Sequence, residues 1–219
     1  MKSLPGAARE LEEAAALFPA SARLVTRDSA TEPRIRADAA IAGSQVILLA
    51  THGVLPDPDA GFAEPGLVMT PPDDATAGDD GLLSASEAAA MDFTSELLIL
   101  SACNTASAGS LDGADSLSGL ARSFIFAGAG SVYASHWRVS DAITKELVLL
   151  AIRHARDDPT LSRSAALGKA MAAIRRGSDE DGTPITGWTP DWSHPSAWAP
   201  FVAITSLERK RETEPDSAS

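Results

Sequence analysis

Cys103 is the only cysteine in the chain, so no disulfide can close within it, and a reducing compartment, the cytoplasm, is its expected setting. Basic residues are scarce as well. Eighteen Lys and Arg stand against thirty Asp and Glu, a formal net charge of −12. That balance argues against nucleic acid or an anionic membrane as the main partner. Between Ala37 and Ala121 there is no lysine or arginine at all. Long apolar runs are missing too: none approaches the ~18 residues of a membrane span, and Pro5 and Gly6 stand where a signal peptide needs its apolar core. What remains is an ordinary globular composition, 44% hydrophobic over 219 residues, enough for one large domain.

Within the stretch devoid of basic residues lie Asp57, Asp59, Glu64, Asp73, Asp74, Asp79 and Asp80. A solvated acidic loop accounts for them. An acidic approach for basic partners, or a divalent-cation site with a role in activation, is the sharper alternative, but the spacing fits no cation-loop template. His136, His154 and His194 match no ligand spacing either. No metal and no cofactor is expected. Gly128-Ala129-Gly130 follows a helix and precedes a strand, the reverse of a dinucleotide loop.

Helices and strands alternate along the chain. Leu4, Leu11 and Phe18, seven apart, predict an amphipathic helix over 7–18. Residues 23–26 read as a short strand. Pro33 near a first turn and Gly43 at the end bound a helix over 32–42. A strand over 45–50 follows, then some thirty loop-rich residues with a short strand at 67–69. Ser84 and Glu87 form a capping box opening a helix to about Met91. Next come a strand over 96–101, a Gly- and Ser-rich turn over 107–113, a helix over 115–127 and a strand over 131–135. Helices over 142–155 and 161–176 lead through a connection containing Trp188 and Trp192 to a last strand over 199–205. This order predicts an α/β fold, a mostly parallel sheet with helices on both faces, in one domain over 1–207 with a disordered tail over 208–219.

Two strands end in reactive side chains. Val46-Ile47-Leu48-Leu49-Ala50-Thr51 delivers His52 and Gly53, and Leu97-Leu98-Ile99-Leu100-Ser101-Ala102 delivers Cys103. In a parallel sheet both ends lie on one rim, where open α/β sheets place their sites. There a thiolate at Cys103 is a nucleophile, His52 is a general acid and base near neutral pH, and the amides of Gly53 and Cys103 suit an oxyanion hole. The chemistry implied is acyl transfer through a thioester. Either residue alone reads as core or loop; the two on matching strand ends carry the reading.

Thr51-His52-Gly53, Leu100-Ser101-Ala102-Cys103-Asn104-Thr105 and Gly130-Ser131-Val132-Tyr133-Ala134-Ser135-His136-Trp137 resemble the CHAT domain, of the clan that includes caspases and separases. The separation of His52 from Cys103 is also close to the ~50 residues of caspases. Leu4-Pro5-Gly6-Ala7 with Glu10, Asp80-Gly81-Leu82-Leu83-Ser84-Ala85, and His194-Pro195 with Trp198-Ala199-Pro200-Phe201 extend the resemblance over most of the chain. It implies a caspase-like fold, a Cys103–His52 dyad, oxyanion donors at Gly53 and Cys103, and a substrate pocket along the strand bearing Ser135 and Trp137. Asp141 is either a selector of basic residues in that pocket or, with Ser140, the cap of the next helix. Asn104 stands where the family usually carries glutamate, which removes a negative charge beside the thiolate.

The expected function is that of a cysteine endopeptidase, an effector cutting a specific protein target. A regulatory protein, or a fused sensor or helical-repeat module, is expected to switch it on. The rivals are a catalytically silent interaction module of the same fold and a small-molecule acyl transferase or amidase.

Overall fold

The structure, a computed structural model, describes residues 4–57, 59, 61–76, 78–104 and 112–206, with the backbone alone at 5, 103–104 and 112–118. The expected tail over 208–219 and most of the turn over 107–113 lie outside the described residues. In chain order the elements begin with α1 (Pro5–Ala16), α2 (Glu32–Ala37), α3 (Ala39–Ala42), β1 (Val46–Leu49), β2 (His52–Val54), β3 (Gly66–Val68), β4 (Leu82–Ser84) and α4 (Ala85–Ala89). They continue with β5 (Leu97–Leu100), β6 (Cys103–Asn104), α5 (Asp112–Phe126), β7 (Ser131–Ser135), α6 (Asp141–Asp157), α7 (Arg163–Arg176), α8 (Pro195–Trp198) and β8 (Phe201–Thr205).

The main sheet has the order β1-β5-β7-β8, with β1, β5 and β7 parallel. All four residues of β5 are buried, as a central strand covered on both faces requires. The period of two splits them between the faces. Leu97 and Ile99 join Tyr133 and the buried sides of α1, α6 and α7; Leu98 and Leu100 join Ile47, Val132 and residues of α2, α4 and α5. The α/β fold with helices on both faces is therefore as the sequence indicates.

The sequence reading left one strand's direction open, and two details differ from it. The last strand, β8, runs antiparallel to β7, from Phe201 opposite Ser135 to Thr205 opposite Ser131. The crossover contains two helices, α6 and α7, which pack on each other. The second returns the chain to the sheet end that the first had left, so the next strand starts there. Residues 23–26 form no strand: with only Leu24 and Val25 apolar they have no face to bury, and Leu24 is 47% exposed. The helix expected over 32–42 is broken at Asp38 (ψ 98°), whose carboxylate accepts the Ala40 N–H at 3.0 Å and caps α3 instead of continuing α2.

A second, small sheet has the order β4-β3-β2-β6. Its strands are two or three residues long, below what periodicity reveals, and of these only β3 was expected from the sequence. The Ser84–Glu87 capping box opens α4 as expected, with Ser84 N–H on Glu87 Oε2 at 3.0 Å. Loop carboxylates find backbone partners: Glu64 accepts the N–H of Ser86, 22 residues on, at 2.9 Å, and Asp80 accepts the Leu82 N–H at 2.8 Å in a local turn. Arg36 ties the region down, reaching buried Glu32 at 2.9 Å, Glu87 at 3.2 Å and the Gly78 carbonyl at 3.3 Å.

Candidate functional site

β1 and β5 pair from Val46 opposite Leu97 to Leu49 opposite Leu100. The same register resumes after a two-residue break, with His52 opposite Cys103 and Gly53 opposite Asn104 in β2 and β6. Ser101 N–H bonds the Leu49 carbonyl at 2.9 Å and bridges the break. The 51-residue interval between histidine and cysteine is thus the register of a parallel ladder, and their backbones run side by side, about 4.8 Å apart as in any sheet. Thr51 anchors the entry to β2 by donating its hydroxyl to the Val68 carbonyl at 2.6 Å.

Gly53 is buried and lies inside the small sheet, opposite Leu67 of β3 on one side and Asn104 on the other. Ser135 ends β7, half-buried, opposite Phe201. Trp137, just beyond it, is 43% exposed and its indole N–H donates to the Ser196 carbonyl at 3.0 Å. Ser140, not Asp141, is the residue that caps α6. Asp141 occupies the first turn of α6, exposed to solvent, where a negative charge is favoured by the helix dipole.

Asp141 also lines an open cavity of about 40 Å³ together with Glu10, Thr51, His52, Ser101 and Thr144, beside Leu4, Gly6 and Ala7 at the start of α1. The fit is close: a Cβ on Gly6 would lie 2.5 Å from Asp141 Oδ2. The structure therefore brings His52 and Asp141 to one cavity and pairs His52 with Cys103, whereas Ser135 and Trp137 do not line that cavity.

The residue that the sequence reading left without a role is Glu10. It is 4% exposed, on the α1 face that also buries Ala14. Ser101 donates its hydroxyl to Glu10 Oε2 at 2.7 Å, while Oε1 is buried without a hydrogen-bond partner among the described residues. Burial pushes its pKa up to about 7; Asp141 adds to the rise, and the Ser101 hydroxyl and Lys145 oppose it. The signal was present in the sequence as a carboxylate on an apolar stripe, between Ala7 and Ala14 at helical spacing.

This burial has a consequence for stability. Below the ordinary pKa of 4.5 Glu10 is protonated in both states. Above it the unfolded chain ionises while the folded one does not, so stability falls as pH rises, until the loss is complete above about 7. At 1.36 kcal/mol per pKa unit the whole loss is about 3 kcal/mol. Glu10→Gln is expected to remove this slope, matching the wild type at pH 5 and exceeding it by about 1–3 kcal/mol at pH 8 in urea unfolding. A slope unchanged by the substitution would contradict the assignment.

His154 lies 3.2 Å from Asp179 across α6 and the loop after α7, and His194 Nδ1 accepts the Ser196 N–H at 3.2 Å. Trp188 donates to the Ile174 carbonyl at 2.7 Å, and Trp192 is buried. These are packing and capping roles. Among the described residues no three His, Cys, Asp or Glu gather as a metal would require, and no helix is long and apolar enough to cross a membrane.

The fold is a mostly parallel α/β sheet with helices on both faces, with His52 opposite Cys103 on adjacent strand ends. The chain belongs to the CHAT domain family, whose pattern matches residues 1–206. CHAT domains have a caspase-like fold and are often peptidases. No curated protein matches the chain.

Proposed function

We propose that this chain is a cysteine endopeptidase that cuts a protein target at specific sites. The observation that carries the reading is the register pairing of His52 with Cys103. The Cys103 thiolate attacks the peptide carbonyl carbon and forms a C–S bond. His52 gives its proton to the departing amine as the C–N bond breaks. It then takes a proton from water, whose oxygen attacks the thioester and releases the carboxylic acid and the thiolate. The backbone N–H groups of Gly53 and Cys103 hold the negative oxygen of the tetrahedral intermediates. Ser135, Trp137 and Asp141 bind the residues preceding the cut. A chain acidic overall and with a single thiol suits the cytoplasm, and a regulatory protein or a fused sensor module supplies the activating signal.

The test is the rate of Cys103 alkylation against pH, in wild type and His52→Ala. With one cysteine in the chain the signal has one source. The expected result is a thiol displaced from the free-cysteine pKa of ~8.5, with a profile that changes in His52→Ala. A slow, ordinary thiol indifferent to His52 would overturn the reading in favour of a silent interaction module.

A further inference from the structure

β1 is an edge of the main sheet, pairing with β5 and with no other strand among the described residues. The Gln45 carbonyl accepts the Leu97 N–H at 3.0 Å, and the Leu49 carbonyl accepts the Ser101 N–H at 2.9 Å. The period of two therefore turns the backbone groups of Gln45, Ile47 and Leu49 toward β5. It turns those of Val46 and Leu48 to the free edge. A few residues further on, the same edge is covered, because β3 pairs with β2, Leu67 opposite Gly53. The edge is thus closed beside His52 and open along the strand that leads to it.

An open groove of about 310 Å³ borders the free edge, lined by Val46 and Leu48 of β1, by Leu11 and Phe18 of α1, and by Arg23 and Leu24. The segment carrying Arg23 and Leu24 is neither helix nor strand, and Leu24 is 47% exposed. No carboxylate lines the groove, although the chain carries a net charge of −12. Its one cation, Arg23, is held by Asp38 at 3.1 Å.

These features together narrow the occupant. Backbone donors and acceptors repeated along a strand edge are met by extended main chain, as in strand addition. An added strand lies about 4.8 Å from β1, and every second side chain then falls on the α1 side. The lining there is apolar and its cation already paired, so those side chains are aliphatic. The charged run Glu208-Arg209-Lys210-Arg211-Glu212 has the wrong composition. A second copy docking its own edge strand β8 on β1 would join head to tail and leave both edges open at the ends, which builds filaments rather than a closed pair.

We propose that this groove docks an extended aliphatic segment of the regulatory protein, which adds a strand to the free edge of β1. The inference rests on the endopeptidase reading for the regulation, and on the edge and groove alone for the docking. β1 passes through Ala50 and Thr51 directly to His52, so a strand that pins β1 holds the strand end that carries the histidine. The added strand acts by positioning and touches neither thiol nor substrate.

Two measurements test it. The first needs no catalysis. The peptide acetyl-Lys-Val-Thr-Val-Thr-Val-Lys-amide is titrated into the full ¹⁵N-labelled chain, and amide exchange is followed at Val46 and Leu48. Both amides are expected to exchange faster than those of Ile47 and Leu49 in the free chain, and to slow at least about tenfold at saturation. Methylating one alternate set of the peptide's amide nitrogens should abolish binding, and methylating the other set should be tolerated, because only one set faces β1. Two variants are expected to bind at least about tenfold more weakly. Val46→Pro removes an outward N–H at the first position of an edge strand, where proline is tolerated. Leu24→Glu places a charge on the exposed wall, so its folding is the safer of the two. No binding, equal loss from both methylated sets, or binding that survives Leu24→Glu would overturn the groove. Assembly of the free chain into dimers or filaments in sedimentation velocity would overturn the partner in favour of a second copy.

The second measurement is the rate of Cys103 alkylation by iodoacetamide at pH 7 with the peptide at saturation. A rise of at least about fivefold is expected, absent in His52→Ala. A bound peptide that leaves a His52-dependent rate unchanged would overturn the regulatory role and leave the endopeptidase reading standing. A slow rate indifferent to His52, with the peptide bound, would overturn the endopeptidase reading and with it the regulation.

Discussion

Cys103→Ala is expected to reduce peptide hydrolysis by about 10⁴-fold or more, because the nucleophile and its base act as a unit and their loss leaves only binding and oxyanion stabilisation. His52→Ala is expected to fall nearly as far. The decisive comparison is the double variant. If thiolate and imidazole serve one reaction coordinate, removing both costs little more than removing either. If the double loss equals the product of the single losses, the two residues act independently, and the register that pairs them is only structural. Hydrolysis of a fluorogenic peptide by the three variants, each checked for native circular dichroism, decides between these outcomes.

The second large effect concerns the core beneath the site. Phe124 on α5 is fully buried, with its ring centroid 5.7 Å from that of Phe93 and the planes tilted by 55°. The pair packs with Leu98 and Leu100 on the face of β5 opposite α6. Phe124→Ala removes the tilted aromatic contact and opens a cavity that a sheet and two helices cannot close. The expected cost is about 3–5 kcal/mol, a large share of the 5–15 kcal/mol that holds a typical domain. The melting temperature should fall by roughly 6–20 °C for a chain of this size. Phe126, two residues on and 83% exposed, supplies the contrast: Phe126→Ala is expected to change stability by less than about 0.5 kcal/mol. Similar losses for both would contradict the buried face assigned to α5.

What the sequence made legible was whatever depended on local pattern. Fully apolar runs marked β1 and β5; Ser131–Ser135 matched β7 residue for residue; and the Ser84–Glu87 spacing opened α4 where expected. His52 and Cys103 stood out because each follows such a run. The errors came where local pattern is silent. Residues 23–26 had strand propensity and no partner. Asp38 interrupted a helix because its own side chain offered a better cap. Of the small sheet only β3 was expected, because strands of two or three residues have no period. Direction also escaped: nothing in Phe201–Thr205 records that β8 runs against β7, since that follows from the two-helix crossover before it.

The sequence by itself determined the α/β layering, the apolar strands β1 and β5 and the pair of reactive residues that follow them, because a strand that packs in a covered sheet displays its apolar composition before it pairs. Tertiary structure alone decided that His52 meets Cys103 in register, that Asp141 shares a cavity with His52, and that Glu10 reaches Ser101, 91 residues away. Those are relations between segments distant in the chain. Their energies come from desolvation and hydrogen-bond geometry that exist only once the helices have packed onto the sheet, which is why a glutamate that reads as one charge on a helix becomes, in the folded protein, a buried carboxyl titrating near neutrality.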